Sequence, residues 1–115
     1  MDFDQAIAAH SGWKPKLTTY LKNPDKSLKH LDTAQANKCD LGQWLDGEGK
    51  KFADRPEFAK LKTDHMRFHK VAADIVRRVN LGEAVSEDEI SNAKGEFVAA
   101  SGDVVRALVA MKSKV

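Results

Sequence analysis

The chain has 115 residues, 42% of them hydrophobic and 31% charged, with 19 basic against 17 acidic side chains and a net charge of +2. That is the size and composition of one soluble globular domain covering residues 1–115. The two signs are interleaved, with only short basic clusters such as Lys14 to Lys16 and Lys50 to Lys51, which argues against a nucleic-acid binder, and no apolar run approaches the roughly 18 residues of a membrane span.

The first residues, MDFDQAIAAH, are acidic and lack the basic and apolar regions of a signal peptide. The single cysteine, Cys39, can form no internal disulfide and fits a reducing compartment. A cytoplasmic location is therefore expected, with no membrane insertion.

Four helices account for most of the sequence. Phe3, Ala6, Ile7, His10, Trp13, Leu17 and Tyr20 recur at three- and four-residue steps and predict a first helix from about Asp4 to Leu21. Pro15 lies inside it and predicts a kink or break just after Trp13. Lys22 to Lys38, with Asn23-Pro24-Asp25, reads mostly as turn and loop. A short second helix carries Cys39-Asp40-Leu41-Gly42-Gln43-Trp44-Leu45 and stops at Asp46-Gly47-Glu48-Gly49.

The third helix opens near Arg55-Pro56, with proline in the first turn where its missing N–H is harmless. Phe58, Leu61, His65, Phe68, Ala72, Ile75 and Val79 form its inward stripe, and Asn80-Leu81-Gly82 ends it. Ser86-Glu87-Asp88-Glu89 is a capping box for the fourth helix. There Ile90, Phe97, Val104 and Met111 repeat every seven residues, with Ala93, Ala100 and Ala107 between them. Val98, Val105, Leu108 and Val109 add a second apolar strip, so this helix needs cover from two directions. A second subunit would supply it and predicts a homodimer; the alternative puts the helix at the centre of a monomeric bundle. The fold class is all-α, an antiparallel bundle of about four helices.

His10, Cys39, His65 and His69 stand on or beside these apolar stripes, where leucine would be ordinary. A lone histidine there is usually a hydrogen-bonded core residue. Four such ligands facing one core are different, because burying imidazoles without partners carries a desolvation cost that a shared metal offsets. His65-x-x-x-His69 puts two imidazoles one turn apart on one face. Three imidazoles and a thiolate complete a tetrahedral zinc shell with no open position, which points to binding rather than hydrolysis. No carboxylate stands at the helical spacing a di-iron site requires, and copper would tolerate the same ligands. His30, in the expected loop, reads as solvated. Trp13 and Trp44 read as core aromatics around the site, and Gly42 as a point of close approach by the short helix.

The pattern His10-x-x-Trp13, then Cys39-x-Leu41-Gly42-x-Trp44, then His65-x-x-x-His69 resembles the chemoreceptor zinc-binding domain of bacteria. The resemblance runs from about Ile7 to Val79, the last helix matching only in character. It implies a helical bundle, typically homodimeric, that binds one zinc per chain through His10, Cys39, His65 and His69, with Trp13, Leu41, Gly42 and Trp44 as supporting motif positions. It also implies a partner, since such domains usually regulate a chemoreceptor signalling module or a diguanylate cyclase on the same chain, and no such module follows residue 115 in this sequence.

Three functions follow as expectations. In the first, the chain is a zinc-dependent sensor whose Cys39 thiolate responds to zinc or to an oxidant such as hypochlorite. In the second, zinc only staples a small interaction module. The third, a metalloenzyme with Asp64 as base, is disfavoured, because neighbouring positions on a helix point about 100° apart and the shell is already full.

Overall fold

The computed structural model describes residues 1–115 and consists of helices and turns, with no strand. Helix α1 spans Phe3–Ser11 and is capped by Asp2, whose carboxylate accepts the Gln5 N–H at 3.1 Å. Helix α2 spans Trp13–Lys22. The break expected just after Trp13 falls one residue before it, at Gly12. Pro15 thereby becomes the third residue of α2, in the first turn, where its nitrogen has no intrahelical carbonyl to miss.

The segment after α2 holds more helix than expected: α3 (His30–Thr33) and a 3-10 turn at Ala36–Lys38 precede α4 (Asp40–Asp46). Cys39 is the N-cap residue of α4, with extended backbone, rather than a member of the helix. A second 3-10 turn, Glu48–Phe52, follows the glycine stop. Helix α5 runs from Pro56 to Asn80 with proline at its start, and Gly82, at φ +80°, turns the chain away.

The expected fourth helix is two. The capping box opens α6 (Glu87–Ser91), the Ser86 N–H donating to Glu89 Oε2 at 3.3 Å. The chain then leaves the helix at Asn92 and resumes as α7 (Glu96–Lys112). Short polar and glycine residues between them (Asn92, Gly95) favour a turn over helix. Ala93, placed by its spacing on the inward repeat, is therefore exposed.

The core forms where the stripes meet. Phe58, Leu61, Phe68, Ala72 and Ile75 of α5 are buried against Phe97, Ala100, Val104, Leu108 and Met111 of α7. Each fully buried side chain of Leu or Phe size contributes roughly 1.5–3 kcal/mol. Around this pair α1 packs on α7, α2 on α6 and α3 on α5. Ion pairs run Glu57 to Lys114 at 3.8 Å, Arg67 to Asp103 at 3.1 Å and Arg78 to Glu89 at 2.9 Å. The second strip of α7 is only partly covered: Val98 and Val105 are half-buried and Val109 is 54% exposed. No helix is long and apolar enough to cross a membrane.

Candidate metal centre

Four donors from three parts of the chain meet in one place. His10 comes from α1, Cys39 from the N-cap of α4, and His65 and His69 from consecutive turns of α5. One ligand atom from each lies within 4.8 Å of all the others. The three histidines are buried and Cys39 is half-buried.

Backbone carbonyls orient two of the rings. His10 Nδ1 is 2.7 Å from the Ala6 carbonyl oxygen, one turn back on α1. His69 Nδ1 is 2.9 Å from the Thr33 carbonyl oxygen at the end of α3. A carbonyl only accepts, so each Nδ1 carries the proton and each Nε2 presents a lone pair. His10 Nε2 and His65 Nε2 then lie 3.8 Å and 3.4 Å from Cys39 Sγ. Sulfur and nitrogen ligands of a tetrahedral zinc site, with Zn–N near 2.0 Å and Zn–S near 2.3 Å, stand about 3.5 Å apart. The observed sulfur–nitrogen separations fall on either side of that value.

His69 Nε2 tests the fit further. It is buried and has no hydrogen-bond partner in the protein, a condition that costs about 1–3 kcal/mol unless something binds there. An ion shared with the other three donors satisfies it. The protonation states agree as well. Burial lowers the pKa of all three histidines, and at His65, where the charges of His69 and His10 add to it, the value falls to about 3. Neutral imidazole is the ligating form.

Aromatic side chains close the site. The Phe68 ring stands edge-on to His10 and His69 at 5.3 and 5.6 Å, and Trp13 packs behind it at 6.4 Å. The Trp44 ring meets Phe3, Phe52 and Phe58, which anchors α4 to the bundle, and Trp44 also lines the cavity that has His10 and Cys39 in its wall. Leu41, two residues after Cys39, is completely buried. Gly42 lies against the Ala36–Lys38 turn, where an added Cβ would come 2.8 Å from the Ala36 carbonyl carbon and 2.9 Å from Asn37 Cα. No side chain fits there, so the turn that presents Cys39 requires glycine.

His30 opens α3 and is half-buried, outside the donor group. Asp64 is buried and paired with Lys60 at 2.8 Å, so it is neither a donor nor a solvated residue. Sequence reasoning missed the two carbonyls. The Ala6 to His10 contact follows from the i, i+4 spacing of a helix and was available as a signal. The Thr33 carbonyl had none, because its position depends on how the expected loop folds back on α5.

Residues 10–76 match a family model described as the chemoreceptor zinc-binding domain. Neither curated proteins nor solved structures offer a match to the chain. The family binds zinc, and the cluster of His10, Cys39, His65 and His69 could hold one zinc ion.

Proposed function

The chain belongs to the chemoreceptor zinc-binding domain family, and on that premise we propose that it is a cytoplasmic zinc-dependent sensory domain in which Cys39 is the switch. His10, His65 and His69 are its fixed ligands, each held in a buried setting. Cys39 is the half-buried fourth, at the junction of a short helix and a turn. That asymmetry among the four donors carries the reading, because the one redox-active ligand is also the one nearest to solvent.

Bound zinc holds the Cys39 sulfur as the thiolate, the form that reacts with oxidants. Hypochlorous acid meeting that sulfur transfers its oxygen: thiolate and HOCl give sulfenic acid and chloride, sulfur giving up two electrons that leave with chlorine. A sulfenic acid is a poorer donor. Cys39 then releases its hold on His10 of α1 and His65 of α5, and α4 and the turn before it are free to repack. The same element responds to the zinc level itself, since empty ligands no longer tie α4 to α1 and α5.

The output fits an antiparallel bundle that acts as one domain over residues 1–115, supported by ion pairs that run in opposite chain order, Glu57 with Lys114, Arg67 with Asp103 and Arg78 with Glu89. The partly covered strip of Val98, Val105 and Val109 supports a symmetric homodimer. The expected clients are a chemoreceptor or a diguanylate cyclase, placing the domain in bacterial chemotaxis or cyclic-di-GMP control. Four ligands leave no open metal position, so it is a binding domain and not an enzyme.

Zinc content of protein purified without added metal, followed by zinc release during hypochlorite titration, tests this. Release should be near stoichiometric and should depend on the thiol. Release from Cys39→Ser that matches the parent in yield and oxidant dose would sink the switch. The second reading, a purely structural zinc staple, draws on the same donor set and predicts that the whole fold disappears on chelation.

A further inference from the structure

A cavity of about 610 Å³ lies between the N-terminal end of α1 and the start of α4, with His10 and Cys39 among its walls. A second, of about 370 Å³, touches His65 but not Cys39. The larger groove of about 730 Å³ runs along α5, α6 and the start of α7 and touches none of the four donors. Of these three, the first alone has Cys39 in its wall. His69, whose Nε2 is buried and without a hydrogen-bond partner, does not line the cavity, but it offers a ligand atom within 4.8 Å of those of His10 and Cys39.

The charges around this cavity are one-sided. Its ionisable side chains other than the donors are Asp2, Asp40 and Glu48, all exposed, and it is lined by no lysine or arginine. Met1 also lines it. Asp2 is engaged with the Gln5 N–H as the cap of α1; Asp40 and Glu48 are the other two carboxylates of the lining. The chain as a whole is positive, at +2, so the negative mouth is a local feature.

We propose that this cavity is the passage by which solutes reach Cys39, and that its carboxylates admit cations and neutral molecules while turning anions away. Its importance for signalling rests on Cys39 being the switch; the passage itself does not. A divalent cation is drawn toward the donors, and neutral hypochlorous acid enters unhindered. Hypochlorite and superoxide, both anions, are repelled. Carboxylates lining a concave, low-dielectric opening raise the local concentration of cations by about tenfold or more.

The test uses the metal-free 115-residue chain, in which Cys39 is the sole thiol. Its modification is timed with three methanethiosulfonates: trimethylammonium-ethyl (cationic), methyl (neutral) and sulfonato-ethyl (anionic). Each rate is divided by that for the chain unfolded in urea. At low salt the cationic reagent should outpace the anionic one by about tenfold, and the gap should close in 1 M salt, where screening acts over roughly 3 Å. Asp40→Asn and Glu48→Gln, singly and together, should shrink the ratio severalfold with an unchanged circular dichroism spectrum. Glu83→Gln, on the turn after α5, should leave it alone. Equal rates for the two charged reagents, or an unaltered ratio in the double variant, would overturn the proposal. Absence of zinc from the purified protein would defeat the sensor reading while leaving this ratio readable.

Discussion

Gly42 packs so closely on Ala36 that the backbones touch, and a methyl group at position 42 would come 2.8 Å from the Ala36 carbonyl carbon. Cys39 sits in the short stretch between them. Gly42→Ala must therefore push α4 away from the Ala36–Lys38 turn, and the sulfur moves with it. We expect zinc affinity to fall at least tenfold and stability to drop by about 1–3 kcal/mol, the usual cost of overpacking. Gly82→Ala is the comparison. Gly82 has φ +80° with open space around it, so alanine there costs about 1–2 kcal/mol of backbone strain and should leave zinc binding alone. Competition against a chromophoric chelator and thermal melts would check both. Equal zinc affinity in the two variants would refute the argument.

The metal-free protein should be acid-sensitive, and the direction follows from the three buried histidines. Burial lowers the pKa of His10, His65 and His69 below the ordinary value of 6.5, with His65 reaching about 3. Between about 3 and 6.5 the unfolded chain therefore takes up a proton at His65 that the folded chain refuses. Stability is intact above that window and declines as pH falls through it, at up to about 1.4 kcal/mol per pH unit for each such histidine. Urea melts of chelated protein at several pH values should show this slope. A flat profile from neutral pH down to pH 5 would contradict it.

Much of this was legible in the sequence because helical periodicity is a local property. The third- and fourth-step stripe of α5 ran from Phe58 to Val79, and of those residues only Val79 falls short of full burial. The four donors could be picked out because histidine and cysteine on such a stripe conflict with its hydrophobic pattern. Other features depend on distant parts of the chain. The Thr33 carbonyl reaches His69 only after residues 30–33 fold as a helical turn against α5. Tyr20, whose hydroxyl donates to Asn80 Oδ1 at 2.6 Å while Asn80 Nδ2 donates to the Leu28 carbonyl at 2.8 Å, ties that segment down across 60 residues of sequence. One helix break was misplaced and the other not expected, for a simpler reason. A proline is tolerated one turn into a helix, so Pro15 marked a start and not an interruption, and the weak helix formers at Asn92 and Gly95 outweighed an apolar repeat that ran through them.

The strip on α7 offers a test of dimerisation that leaves the metal centre untouched. Val98 and Val105 are half-buried and Val109 is 54% exposed, and none belongs to the donor group. Val109→Asp places a charge on this strip, where burial in an interface would cost several kcal/mol, whereas on an open surface it would cost little. Sedimentation should show the parent chain at twice the monomer mass and the variant at monomer mass, with both holding the same zinc. A monomeric parent chain would leave the strip without the partner proposed for it.

Removing zinc should loosen one part of the bundle and spare the rest, and this separates sensor from staple. The pairing of α5 with α7 rests on Leu61, Phe68, Val76, Phe97, Val104, Leu108 and Met111, all at most 1% exposed and none a donor. That core needs no metal to stay out of water. The elements that do depend on the donors are short: α3 is four residues, α4 is seven and the turn between them is three, all well below the length at which a helix holds itself together in water. Chelation should therefore leave most of the helical circular dichroism in place. Hydrogen exchange should rise across residues 30–46 and change little in the buried stretches of α5 and α7. Saturating zinc should restore protection and raise stability by about 4 kcal/mol when free zinc is a thousandfold above its dissociation constant. If protection is instead lost uniformly, down to Phe97 and Met111, the metal is holding up the whole fold and the staple is the better account. Local loss confined to α3, α4 and the Cys39 turn is what a domain that signals by repacking requires.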